Sequence, residues 1–133
     1  MRILIAEDDF ISRRVLKDIL SKYGDCDVAV DGREALQRFG EAFRNSRPYS
    51  VIFMDIMMPN MDGIEALKEI RKMEADEGVR DTAEVKVIMV TALGDPRTVV
   101  EAYYRGGATA YIVKPIIKKD LLGEMINMGL IQP

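Results

Sequence analysis

At 133 residues the chain has the length of one ordinary domain and buries enough apolar surface to fold without disulfide or metal staples. Hydrophobic residues make up 48% and charged residues 31%, which excludes a disordered or fibrous chain, and a net charge of −3 argues against direct binding to nucleic acid. Cys26 is the only cysteine, so no intrachain disulfide forms, and histidine is absent, so any metal site must use oxygen ligands, which favours Mg²⁺ or Ca²⁺ over zinc. The start lacks a secretory apolar region and no run reaches the length of a membrane span, so a cytoplasmic address is expected by elimination.

Residues 3–6 form an unbroken apolar run that stops at Glu7, Asp8 and Asp9, as a central strand buried on both faces would. Ile11, Val15, Leu16, Ile19 and Tyr23 then recur at helical spacing, with Arg13, Arg14, Lys17 and Lys22 between them and Gly24 as a stop. Residues 27–30 read as a second strand. Asp31 and Gly32 make a turn into a helix whose inner face is Ala35, Leu36, Phe39 and Phe43, and Pro48 closes that unit. Residues 51–54 form a third strand ending at Asp55, followed by a loop rich in Met and Pro and a helix over about 63–73 that turns Ile64, Leu67 and Ile70 inward. Residues 74–86 read as a long, charged, solvated connection. A fourth strand over 87–90 ends at Thr91, a helix spans 96–104 before Gly106 and Gly107, and a fifth strand over 111–113 leads to Lys114 and Pro115. A last helix covers about 118–128.

Strands that alternate with helices need crossover connections, which makes the sheet parallel and covers both of its faces. The expected fold is therefore doubly wound α/β, a single domain over residues 1–133. In such a sheet the strand ends share one edge, where ligands bind at the reversal of strand order. Glu7, Asp8, Asp9, Asp55, Thr91 and Lys114 all follow strands, so they should converge there. Several carboxylates held together repel one another unless a cation joins them. Mg²⁺ suits the small cluster because it takes one or two carboxylates, keeps waters and completes its shell with phosphate. A carboxylate can itself attack phosphorus to give an acyl phosphate, a transfer that depends on positioning and charge neutralisation.

The stretches Ile3 to Asp9, Met54 to Gly63 with Pro59 and Asp62 inside it, Val90 to Ala92, and Tyr111 to Pro115 together resemble the receiver domain of two-component response regulators. The resemblance covers essentially the whole chain and implies a flavodoxin-like (βα)5 fold with strand order 2-1-3-4-5. It implies Asp55 as the phosphoacceptor, loaded from the phosphohistidine of a sensor histidine kinase or a phosphotransfer protein. Asp8 is then the direct Mg²⁺ ligand, Glu7 acts directly or through water, and Met57 adds its backbone carbonyl. A slip of one residue at the end of the first strand would promote Asp9 and demote Glu7. Thr91 with the backbone of Ala92 would bind one phosphoryl oxygen and Lys114 another, and the Lys114–Pro115 bond would match a cis peptide of the family. Tyr111 would be the rotating aromatic of a switch that changes the surface of the fourth helix, fifth strand and fifth helix for a downstream protein target. The chain is expected to act as a monomer or weak dimer, without a catalytic or DNA-binding module after the last helix.

Plainer readings stand beside these. Asp55 alone is a turn residue, Asp9 is first of all a helix cap, and Thr91, Lys114 and Tyr111 are each ordinary strand or surface residues when taken singly. The methionines read as gap fillers. A metal-dependent phosphatase would want a second acid two residues beyond Asp55, where Met57 stands. A nucleotide binder would want a glycine-rich loop after the first strand, and none is there. Met57 and Leu93, two beyond the acceptor and two beyond Thr91, flank the path of hydrolytic water by the same resemblance. Both are apolar, which predicts slow loss of the phosphoryl group.

Overall fold

Five apolar runs become strands β1 (Arg2–Ala6), β2 (Asp25–Ala29), β3 (Val51–Asp55), β4 (Lys86–Thr91) and β5 (Ala110–Val113) in the computed structural model, which describes residues 1–92 and 107–133. All pairings are parallel and the order is β2-β1-β3-β4-β5, the topology expected from the sequence. Four α-helices occur among the described residues: α1 (Phe10–Leu20), α2 (Gly32–Arg44), α3 (Gly63–Asp76) and α4 (Lys118–Asn127). The helix expected over residues 96–104 lies outside the described residues, as does Leu93.

Both faces of the sheet are covered, which is why its central strands are apolar without alternation. Leu4, Ala6, Ile52 and Met54 point to one side and pack with Phe39 of α2 and Leu67 and Ile70 of α3. Ile3, Ile5, Phe53 and Ile88 point to the other and meet Leu16 and Leu20 of α1 and Leu121 and Met125 of α4. Among the described residues, no helix is long and apolar enough to cross a membrane.

Three expectations need correction. The buried side of α1 is Leu16 and Leu20, with Ile19 and Tyr23 partly covered, whereas Ile11 is 71% and Val15 38% exposed. At 3.6 residues per turn Ile11 points about 140° away from Leu16, so it cannot share that face. Strand β2 starts at Asp25, because its ladder with β1 pairs Arg2 with Asp25 and ends at Ala29, leaving Val30 exposed beyond the pairing.

The third correction concerns the charged connection, which is not wholly solvated. Helix α3 continues to Asp76, and Glu74 is only 2% exposed. Its Oε2 accepts a hydrogen bond from the Val85 backbone N–H at 2.7 Å, and its Oε1 pairs with Arg71 Nη1 at 2.6 Å. Arg71 then donates from Nε and Nη2 to the Gly107 carbonyl at 3.0 and 2.9 Å. One buried carboxylate thereby fastens α3 to the approach of β4.

Candidate functional site

Register alone brings the strand-end residues together. Ala6 pairs with Met54, so Glu7 falls level with Asp55; Asp55 pairs with Val90, one residue before Thr91; Thr91 pairs with Val113, one residue before Lys114. With neighbouring strands about 4.8 Å apart, the four side chains lie along one short edge.

At that edge Lys114 Nζ lies 2.6 Å from Glu7 Oε1 and 3.1 Å from Asp55 Oδ2. Glu7 and Asp55 are buried, while Asp8 is exposed at the mouth. Carboxylate oxygens of Glu7, Asp8 and Asp55 all lie within 4.8 Å of one another. Asp55 Oδ1 also accepts from the Met57 backbone N–H at 3.3 Å, which draws the loop after β3 over the Asp55 carboxylate. Thr91 is buried at the end of β4, and its carbonyl accepts from the Lys114 N–H at 2.7 Å, just before the cis Lys114–Pro115 peptide. Ala92 is exposed in the bend that follows. Tyr111 is 39% exposed on the outer face of β5.

Asp9 stays outside the cluster. Its carboxylate accepts from the Ser12 N–H at 2.8 Å and caps α1, and this bond holds its pKa below the ordinary carboxylate value. The strand register thus sets Glu7, and not Asp9, beside Asp55.

Sequence reasoning treated Arg13 as a polar spacer. Its Nη1 instead donates to the Glu7 carbonyl at 2.9 Å and the Asp8 carbonyl at 3.3 Å, pinning the acidic turn from the first helical turn. Nothing in the spacing distinguishes Arg13 from Arg14, because the difference lies in which face of α1 meets the turn. Asn60 was missed as well. It sits at φ +67°, and its side-chain amide donates to Asp31 Oδ2 at 2.7 Å while Asp31 Oδ1 caps α2 through the Glu34 N–H. A positive φ at Asn is common, and the reading of this segment as loop punctuation was a usable but unexploited signal. Gly63 is forced: an added Cβ would fall 2.1 Å from the Asp55 carbonyl oxygen.

Burial pushes Glu7 up to about 7, reinforced by the Asp55 carboxyl and opposed by the Lys114 ammonium. Burial alone would lower Lys114, but the two carboxylates overcome it and raise its pKa. A carboxyl that is harder to ionise folded than unfolded stabilises the fold fully below its unfolded value and loses that contribution as pH rises through the folded one. Urea denaturation in EDTA should therefore show Glu7 eroding stability from pH 4.5 to about 7. The slope across this interval should be shallower in Glu7→Gln.

The donors suit a hard divalent cation. They are all oxygen, they converge, and the buried Glu7 Oε1 has no hydrogen bond of good geometry despite its ion pair with Lys114. Next to them opens a cleft of about 650 Å³ lined by Asp8, Ile56, Met57, Met58, Pro59 and Asp62.

Known proteins share this arrangement of strands. The family model described as the response regulator receiver domain matches residues 3–127. The chain is 37% identical over 129 residues to the chemotaxis protein CheY of Bacillus subtilis, covering 97% of each. It is 38% identical over 116 residues to CheY of Thermotoga maritima, covering 86% of this chain and 85% of that protein. A hybrid signal transduction histidine kinase of Dictyostelium discoideum is also 38% identical, but the match spans only 7% of its length and 95% of this chain. In structure, a chain of the co-crystal of the Saccharomyces cerevisiae phosphotransfer protein Ypd1 with the receiver domain of Ssk1 superposes with a TM-score of 0.85 at 29% identity, covering 99% of this chain and 90% of that one. A chain of the CheX-CheY-BeF3-Mg complex from Borrelia burgdorferi gives 0.82 at 27% identity, covering 97% and 89%. Topology, acidic edge and a match over nearly the full length agree: the chain belongs to the response regulator receiver domains of two-component systems.

Proposed function

We propose that residues 1–133 form one receiver domain that accepts a phosphoryl group on Asp55 and acts as a signalling switch, not as an enzyme that turns over outside substrates. The observation that carries this reading is the meeting of Asp55, Glu7 and the Lys114 ammonium at one strand edge. The donor is the phosphohistidine of a sensor kinase or a phosphotransfer protein, in keeping with the phosphotransfer protein in one co-crystal of a similar receiver. Glu7, Asp8 and Asp55, with the Met57 carbonyl, are the groups that would hold Mg²⁺, Glu7 directly or through water. When bound, the ion supplies neutralisation of the charge on the transferring phosphoryl oxygens.

The chain's own groups do the rest. An Asp55 carboxylate oxygen forms the new bond to phosphorus as the P–N bond to imidazole, or the P–O bond to acetate, breaks and the leaving group takes the electron pair. Lys114, already 3.1 Å from Asp55, pairs with a phosphoryl oxygen, and Thr91 with the Ala92 N–H binds another. Movement of Thr91 toward the phosphoryl group makes room for Tyr111 to turn inward from its exposed position, and the altered face around β5 selects a downstream protein.

Incubation with acetyl phosphate and Mg²⁺ tests the reading: intact mass should rise by one phosphoryl group, the gain should vanish in EDTA, and peptide mapping should place it on Asp55. Modification without a divalent ion, or at another residue, would overturn it. Lifetime offers a further check, because Met57 is 78% exposed and presents an apolar side chain that orients attacking water poorly. Met57→Asn should shorten the half-life of the phosphorylated protein severalfold, read from the decay of the mass adduct.

A further inference from the structure

Gly40 lies in the interior of α2, where glycine weakens a helix relative to alanine. The fold does not require it. Its φ is not positive, and an added Cβ would meet nothing closer than the tip of the Arg44 guanidinium at 3.1 Å, with Met73 Cε next at 3.6 Å. Arg44 is exposed and flexible, so it can yield. The glycine leaves a notch beside α2 that the Arg44 guanidinium and Met73 reach into.

That space is a groove of about 480 Å³ between α2 and α3, floored by Leu36, Gly40, Met61 and Met73. The methionines are unbranched and polarizable, and such side chains reshape around a partner. The two ends of the groove carry Arg33 and Arg44, which stand about three helical turns apart on α2. Both are exposed, and neither forms an ion pair among the described residues, although the chain as a whole carries a net charge of −3. Although the Arg33 charge also acts on Asp31, two exposed cations bracketing an apolar floor fit acids bracketing an apolar stripe. The groove runs between helices and offers no open strand edge, so an extended peptide would leave its own backbone groups unpaired, whereas a helix satisfies them internally.

We propose that the groove between α2 and α3 docks an acidic amphipathic helix of a partner protein, with its apolar stripe on the Leu36 to Met73 floor and a carboxylate at each end against Arg33 and Arg44. This surface does not include Asp55, and the proposal does not rest on the phosphoryl reading. It does touch the same loop: the Met61 carbonyl, at one end of the floor, accepts from the Gly32 N–H at 2.9 Å.

The probe is a synthetic helix with leucines at helical spacing on one face and a glutamate beyond each end of that stripe, titrated into ¹⁵N-labelled full chain. Amide shifts should concentrate at Leu36, Gly40, Met61 and Met73. Gly40→Gln, which fills the notch, and the double variant Arg33→Glu, Arg44→Glu should each weaken binding about tenfold or more. A peptide with lysines in place of the two glutamates should fail on the wild type and bind the charge-reversed variant. Gly40→Ala should melt at the same temperature as wild type or higher. The proposal is overturned if shifts appear elsewhere or not at all, if both peptides bind the wild type equally, or if Gly40→Ala lowers the melting temperature and so shows that packing requires the glycine.

Discussion

Asp55→Asn is expected to abolish modification by acetyl phosphate and Mg²⁺, with no mass adduct under conditions that label the wild type fully. The substitution keeps the shape of the side chain and removes the charge and nucleophilicity of its oxygen. An amide cannot form an acyl phosphate, and no adduct is expected on the neighbouring carboxylates. Glu7 is buried and paired with Lys114 at 2.6 Å, and Asp8 is exposed at the mouth of the site. Loss of function should come without loss of fold, because the substitution removes one of the acids that crowd the edge while the amide oxygen can still accept from Lys114. Thermal denaturation in EDTA should place the variant at or above wild type. An adduct on the variant would reject Asp55 as the acceptor, and a collapsed melting curve would reject the account of the acidic edge.

The largest effect on stability is expected at Glu74. Removing its carboxylate in Glu74→Ala strips the Val85 N–H of its acceptor and leaves the partly buried Arg71 guanidinium with only the Gly107 carbonyl. Breaking one side of a buried pair in this way should cost about 3 kcal/mol, a large share of the roughly 5–15 kcal/mol that holds a domain folded. Glu74→Gln keeps an acceptor for Val85 and should cost less, about 1–2 kcal/mol. Urea denaturation at neutral pH reads both, with an unchanged m-value marking a loss of stability and not of compactness. If both variants match the wild type, the α3 to β4 fastening is decorative.

The sheet was legible in the sequence because its strands are buried on two faces and announce themselves as short apolar blocks that stop at chemistry-bearing residues. The edge cluster followed from the same fact: once five parallel strands are placed, their ends must meet, and Glu7, Asp8, Asp55 and Lys114 do. What stayed hidden depends on three-dimensional neighbours. Glu74 looks like any charge in a solvated stretch, since its burial comes with Arg71 and Val85 reaching it from either side. Ile11 and Val15 look like core residues in a list of apolar positions but miss the sheet by helical phase. Arg13 carries no mark in the sequence that sets it apart from Arg14.

The glycine at position 63 has a mechanical consequence. Because an added Cβ there would fall 2.1 Å from the Asp55 carbonyl oxygen, and its N–H donates to the Ile56 carbonyl at 2.8 Å, the first turn of α3 packs directly against the end of β3. Strain applied along that helix cannot be absorbed by the intervening loop alone. Displacing the start of α3 therefore presses on the backbone that carries Asp55.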